Sequence, residues 1–248
     1  FSFADLKLEK QLNAAVNPLA LANPISSDLA VMRSTLLSSL IPCVQYNVIR
    51  QQRRVRFFEI GLRFDYQDAE SIHDLKQIPT LAVIATGAKT SETWHAKPQA
   101  MDFFDFKGEI EEVLAAGRVQ VDYVRSERSW LHPGQSAEVL VDGQSIGYFG
   151  RLHPSLEDEL DLGTAWVAEL DQTAVLQTYV SNFTELSRFP SVRRDIALLI
   201  SDKINVSEIQ QLIEKTGGAL LDSTWLFDVY TGQGVEQGKR SLAFALLW

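Results

Sequence analysis

The 248-residue sequence holds one cysteine (Cys43), two methionines and four histidines. No apolar run approaches the roughly 20 residues a helix needs to cross a bilayer. A single cysteine excludes an intramolecular disulfide and fits a reducing compartment. His73, His95, His132 and His153 lie about twenty or more residues apart, so no pair has the close spacing of a helical zinc site. Cations are also short: 23 Lys and Arg against 32 Asp and Glu leave a net charge of −9. An acidic total argues against a generic nucleic-acid binder, which needs excess positive charge to meet phosphates. The chain opens with Phe1, shows no basic-then-apolar leader, and reads as a piece of something longer. Apolar residues are not scarce. At 46% apolar and 22% charged the sequence is too apolar for disorder, and its length suffices for one large domain or two smaller ones.

The acidity is unevenly placed. Residues 1–63 carry a net +4, residues 64–187 a net −13 and residues 188–248 a net zero. The polar stretch Thr178-Tyr179-Val180-Ser181-Asn182 suggests a domain boundary near 180–190, giving modules over 1–180 and 187–248.

Asn23-Pro24 marks a turn. Leu36, Leu37, Leu40, Ile41, Val44 and Val48 recur at helical spacing, with Ser34 as the expected cap and Pro42 as an expected kink or true start. Cys43 falls on the apolar side of that pattern and is expected in the core. Val55 to Phe64, Leu81 to Ala85 and Trp166 to Leu170 read as strands, and Val119, Val121 and Tyr123 alternate as a further one. Ile110, Val113 and Leu114 belong to a helix ending near Gly117. Asp142-Gly143 supplies the positive φ angles of a tight hairpin turn. His132 and His153, each before proline, read as turn devices rather than acid–base groups. Helices and strands mix without strict alternation, so the fold class is α+β with antiparallel sheet.

The last segment has its own order: strand Asp195–Ser201, helix Val206–Thr216 ended by Gly217-Gly218, then strands Trp225–Tyr230 and Ser241–Trp248. That is β-α-β-β, the first four elements of a ferredoxin-like domain, without its last helix and strand. Such a domain leaves a sheet edge and an apolar face uncovered, so it is expected to bind RNA poorly alone and to self-associate.

Two ordered sets of motifs carry a resemblance. The first runs Asn23-Pro-Ile-Ser-Ser-Asp28, Met32-Arg-Ser, Tyr46-Asn47, Arg50, Arg56-Phe-Phe-Glu-Ile-Gly61, Leu131-His-Pro-Gly-Gln-Ser-Ala137, Ile146-Gly147 and Leu152-His-Pro154. The second runs Ser187-Arg-Phe-Pro-Ser-Val-Arg-Arg-Asp-Ile-Ala197, Leu226-Phe-Asp-Val-Tyr230, Gly232 and Lys239-Arg-Ser-Leu-Ala243. Together they resemble the C-terminal half of the β subunit of bacterial phenylalanyl-tRNA synthetases. The resemblance implies a class II synthetase-like module that has lost its chemistry, followed by a ferredoxin-fold anticodon-binding domain. It also implies a catalytic α subunit as partner, an α2β2 heterotetramer, tRNA binding, and ATP and magnesium for the complete enzyme. It places the protein in the cytoplasm, with the editing module upstream of this sequence.

The residues bear on that expectation. Class II enzymes hold ATP with an Arg two positions before a strand Glu; here Phe57 holds that position before Glu59, and Arg56 lies one residue further back. A one-residue shift on a strand points a side chain to the opposite face. No Lys or Arg lies between Leu152 and Phe183, where Glu157, Asp158, Glu159, Asp161, Glu169 and Asp171 stand instead. An acidic, arginine-free lining repels a triphosphate. The module is therefore expected to be scaffold, with no catalytic and no metal-binding residues and no cofactor of its own.

Arg50, Arg53, Arg54 and Arg56 form the densest basic cluster. They read either as a solvated helix end or as a contact surface, with Arg50, Arg53 and Arg54 meeting the α subunit or tRNA phosphate. In the terminal module, Trp225, Phe227 and Val229 are expected on one strand face, and Leu226, Asp228 and Tyr230 on the other. Leu242, Phe244 and Leu246 are expected to face the core. An open sheet with an aromatic and nearby cations can stack unpaired bases. Tyr230, Lys239, Arg240, Arg193 and Arg194 are the candidates, against the alternative that Arg193 and Arg194 pair with Asp195 or Asp228. A reading of another class is a protein-binding or regulatory module using the same sheet without RNA.

Overall fold

A computed structural model describes residues 2–13, 16–65, 75–176, 183 and 190–248. His73, the Thr178–Asn182 stretch and residues 187–189 of the Ser187 motif lie outside the described residues. The chain divides into two compact units, Phe1–Val180 and Ser181–Trp248.

In the first unit, in chain order, the elements are β1 (Phe3–Ala4), α1 (Leu6–Leu12), β2 (Val31–Met32), α2 (Leu37–Ile49), β3 (Arg54–Asp65), β4 (Lys76–Gly87), α3 (Phe103–Ala116), β5 (Asp122–Arg125), β6 (Leu131–Val141), β7 (Gln144–Leu152), α4 (Pro154–Glu159), β8 (Ala165–Asp171) and α5 (Gln172–Val175). Strands β3-β4-β8-β7-β6-β5 form one six-stranded sheet, antiparallel at every pairing. Apolar clusters cover both faces. On one, Leu37, Leu40, Ile41 and Val44 of α2 pack on Val55, Ile84, Ala165 and Val167; on the other, Phe106, Ile110 and Leu114 of α3 pack on Trp166, Ala168 and Leu170. The continuous run Ala165–Leu170 follows from this, since a strand covered on both sides has no solvent face to fill with polar residues.

Local chemistry sets the element ends. Asp102 and Asp105 close a capping box on α3, and Gly117 ends it. Asp142 and Gly143 adopt φ of +50° and +77°, the paired left-handed values of a two-residue turn between β6 and β7. His132 Nδ1 accepts from the Gly134 N–H at 3.0 Å, and His153 Nδ1 from the Ser155 N–H at 3.3 Å. Both imidazoles thus serve turns.

Four expectations change. Ser34 does not cap α2: its N–H and hydroxyl both donate to Glu9, while the Thr35 hydroxyl accepts from the Leu37 N–H. The helix does not start at Pro42 but spans Leu37–Ile49 with the proline inside it, at an exposed position between the buried Ile41 and Val44. Cys43, beside it, is exposed rather than core. The strand expected from Val119 is confined to Asp122–Arg125, which pairs antiparallel with Leu140–Ala137 of β6.

The second unit comprises β9 (Arg193–Ser201), α6 (Val206–Gly217), β10 (Ser223–Tyr230) and β11 (Lys239–Leu247), with sheet order β10-β11-β9, all antiparallel. Glu208 accepts from the Asn205 N–H at 3.2 Å at the start of α6, and Gly218 at φ +57° ends it. Val206, Ile209 and Ile213 of α6 pack on Ile196, Leu198, Ile200, Leu226, Leu242, Phe244 and Leu246. The hairpin strand β11 is thus inserted between β9 and β10, as the first four elements of a ferredoxin-like domain require.

Candidate functional site

The face of the small sheet opposite α6 carries its aromatic residues. Trp225 pairs with Ala245, which pairs with Asp195 on β9. A bulge between Leu226 and Asp228 inserts Phe227 as an extra residue. Beyond it Asp228 pairs with Ala243 and Tyr230 with Ser241, so the side-chain parity of β10 flips. Strict alternation separates Tyr230 from Trp225; the bulge returns Tyr230 to the same side, correcting the expected split. Trp225, Phe227 and Tyr230 are 39, 47 and 48% exposed. Small residues, Ala243, Ala245 and Ser241, stand beside them on β11, and the Tyr230 hydroxyl donates to the Gln233 carbonyl at 3.1 Å with its ring against Gly232.

Arg193 lies across these rings, its guanidinium 5.4 Å from the Trp225 centroid and 5.3 Å from that of Phe227. It is also bound by Asp195 through Nε at 2.8 Å and Nη2 at 3.2 Å, which raises its pKa. The other candidates separate. Arg194 is exposed and pairs with no carboxylate among the described residues. Lys239 binds Glu236 at 2.7 Å at the strand start. Arg240 faces the α6 side and donates to the Ile204 carbonyl at 2.7 Å, fastening the loop into α6. The open face therefore brings together Arg193 and Tyr230 with Trp225 and Phe227, and leaves Arg240 out.

In the first unit, Arg50 stacks on Tyr46 at 3.4 Å to the ring centroid and donates to the Tyr46 carbonyl, and Arg53 and Arg54 are exposed. None of the three forms an ion pair among the described residues. Arg56 points to the α3 side, donating to the Ala88 carbonyl at 3.1 Å and lying 3.5 Å from Glu109. Phe57 packs against the α2 cluster. Buried Arg33 occupies the space at Glu59, donating to its carboxylate at 2.6 Å, to Ser39 Oγ at 3.0 Å and to the Leu62 carbonyl at 2.9 Å.

Beside this lies a cavity of about 710 Å³ lined by Thr35, Arg63, Asp65, Arg128, Trp130, Tyr148, Glu169 and Asp171, among others. The lining is not arginine-free, because Arg63 and Arg128 enter from strands and loops outside the segment that lacks cations. Arg128 is committed to Glu138 at 2.6 and 3.0 Å. Three acids of the 157–171 segment, Glu157, Glu169 and Asp171, are structural. Glu157 accepts from Arg151 and from the Ala165 N–H. Glu169 accepts from the Thr35 hydroxyl at 2.7 Å, the Leu36 N–H at 2.6 Å and the Tyr148 hydroxyl at 2.8 Å. Burial first, then the Glu169 charge, drives the Tyr148 pKa well above its ordinary value, so this phenol stays a donor. Asp171 caps α5.

Sequence reasoning missed Trp225 and Phe227 as members of the open face. The aromatic run itself was a signal, but the bulge that decides its parity leaves no period-2 trace.

A model described as the phenylalanyl tRNA synthetase beta chain CLM domain matches residues 1–172, and one described as the ferredoxin-fold anticodon binding domain matches residues 187–248. The phenylalanine–tRNA ligase beta subunit of Acinetobacter baylyi is 82% identical over 248 residues, that of Psychrobacter arcticus 50% over 254, and that of Nitrosococcus oceani 42% over 251. Each alignment covers 100% of this chain, which spans 31% of the length of these relatives.

Proposed function

This chain belongs to the phenylalanyl-tRNA synthetase β-chain family, and from that premise we propose that it is the part of a phenylalanine–tRNA ligase β subunit that scaffolds the catalytic α subunit and recognises the tRNA anticodon region. The observation that carries the reading is the two family matches in order, the second falling on a unit whose open face carries three exposed aromatics and a guanidinium. Unpaired bases stack on such rings while cations meet the backbone. Arg193, Arg194, Tyr230, Lys239 and Arg240 are the proposed tRNA-contact residues, joined by Trp225 and Phe227. Arg193 and Tyr230 sit on the ring face and Lys239 at its end; Arg194, whose register partner is Leu246, stands on the α6 side as Arg240 does, and Arg240 acts through the loop it holds.

The first unit is a class II synthetase-like module used as a scaffold. Its residues do not fit a triphosphate: Arg33 fills the position at Glu59, Arg128 is neutralised by Glu138, and the buried acids are bound internally. ATP and magnesium belong to the complete enzyme, an α2β2 heterotetramer acting in the cytoplasm, and the chemistry to the α subunit. This chain contributes by positioning, since binding energy far from the reacting atoms can hold an acceptor end in place. Arg50, Arg53 and Arg54 present a surface to one of its partners.

Co-expression of the complete β chain with its α partner tests the reading. Co-purification and charging of tRNA with phenylalanine are expected. A β chain that neither co-purifies with α nor supports charging overturns it and leaves a protein-binding module on a ferredoxin-like sheet.

A further inference from the structure

Ion pairs separate the arginines of the first unit, and Arg63 and Arg125 stand with the cluster at the α2–β3 junction in having no carboxylate partner among the described residues. Arg33, Arg56, Arg128 and Arg151 each meet a carboxylate. Arg50, Arg53 and Arg54, crowded at the junction of α2 and β3, meet none among the described residues, in a chain with more acids than bases. The junction is rigid. Gln51 takes φ +62°, and the Arg50, Gln51 and Gln52 N–H groups return to the Asn47 and Val48 carbonyls. Burial lowers the Arg56 pKa, opposed by the Glu109 carboxylate and assisted by the smaller repulsion from the neighbouring Arg54.

A hairpin rises from the same place. Arg54 pairs with Gly87, and a Cβ on Gly87 would stand 1.9 Å from the Arg53 carbonyl oxygen, so only glycine lets the two segments touch. Arg56 holds the hairpin root through the Ala88 and Lys89 carbonyls, and Lys89 binds Asp105. Bridges at Ala88–Ala100 and Thr93–Ala96 make Trp94 and His95 the two turn residues at the tip. Trp94 is 98% exposed with His95 edge-on to it, and Lys97 follows. Glu92 is the one acid between Lys89 and Lys97. At the other side of the junction Tyr46, 58% exposed, carries the stacked Arg50.

From this juxtaposition we propose that the α2–β3 junction and the Trp94 hairpin form a second RNA-contact surface, separate from the open ferredoxin-like face, on which Arg50, Arg53 and Arg54 meet backbone phosphates and Trp94 stacks on an unpaired base. The proposal rests on tRNA being the ligand of the complete enzyme. Clustered cations without a carboxylate partner suit phosphate, because guanidinium forks bind its oxygens in pairs, and an exposed indole suits a splayed base because stacking tolerates any sequence.

The test uses the complete β chain with its α partner, with tRNA and an isolated anticodon stem-loop as ligands. Replacing Arg50, Arg53 and Arg54 together by Ala is expected to weaken tRNA binding about tenfold and to flatten the dependence of log K on log salt by about two to three. Triple Lys replacement is expected to restore the slope. Trp94→Ala is expected to cost about threefold or more in affinity with the slope unchanged, as loss of stacking without loss of charge requires. Stem-loop affinity should be the same in all variants. An unchanged tRNA slope in the Ala triple variant overturns the proposal. So does loss of co-purification with α in that variant, which would make the surface a protein interface. Failure of the unmodified enzyme to bind tRNA would instead sink the reading on which the proposal rests.

Discussion

Glu157 of α4 and Glu169 of β8, both buried in the larger unit, are each met by several donors from neighbouring segments, whereas Trp225, Phe227 and Tyr230 on the sheet of the smaller unit stand half in solvent. The first arrangement is what a fold does with polar groups it must bury. The second leaves apolar area in water on the face opposite α6, and an exposed apolar patch of that kind is commonly an interaction surface. Charge and function therefore come apart. The −13 of residues 64–187 includes internal partners of the scaffold, while the neutral terminal segment carries the face with chemistry to offer.

Removing a buried acceptor should break that contrast most severely. Glu169→Ala strands the Thr35, Leu36 and Tyr148 donors and is expected to cost about 3 kcal/mol or more in urea unfolding, leaving the terminal unit folded. A small change would show that the network is not holding the sheet to α2. Next, Trp225→Ala and Phe227→Ala are each expected to weaken anticodon stem-loop binding by the complete enzyme about tenfold, with stability nearly unchanged; equal affinity would remove the open face from RNA recognition. Asp195→Asn releases Arg193 from its intramolecular partner, so stem-loop affinity is expected to rise about two- to threefold at low salt and to converge with the parent at high salt.

The smallest effect concerns Glu9. Burial, opposed in part by Ser34, raises its carboxyl pKa above the ordinary range, and one carboxylate oxygen has no partner. The folded chain then holds this proton more tightly than the unfolded chain. The stability it contributes is fully present below the unfolded pKa and is lost as pH rises through the raised folded value. Glu9→Gln should therefore stabilise the protein by about 1 kcal/mol at pH 8, with the advantage vanishing below about pH 4. Parallel stability curves for the two proteins across that range would show that Glu9 is not the group responsible.

Much of this architecture was legible. Leu37, Leu40, Ile41 and Val44 declare α2 by spacing, Asp142-Gly143 declares its turn because few other pairs tolerate two left-handed residues, and the β-α-β-β order follows from the terminal segment alone. These are local signals, in which a residue's own backbone preference or a short period carries the information. Ser34 and Cys43 were misplaced because the competing terms are not local. Glu9 claims the Ser34 hydroxyl from another helix, and Pro42 and Cys43 fall just beyond the buried stripe.

The sequence by itself determined the order of elements, the family and the displacement of charge into the middle of the chain. Only the tertiary structure decided what each charge and ring touches. A single bulge at Phe227 places Trp225 and Tyr230 on one face, Glu138 neutralises Arg128 at the cavity wall, and the Gly87 contact joins the arginines of the α2–β3 junction to the Trp94 hairpin. The physical reason is one of range. Backbone preference acts over a few residues, whereas neutralisation, stacking and exposure depend on which distant groups close packing brings within a few ångströms.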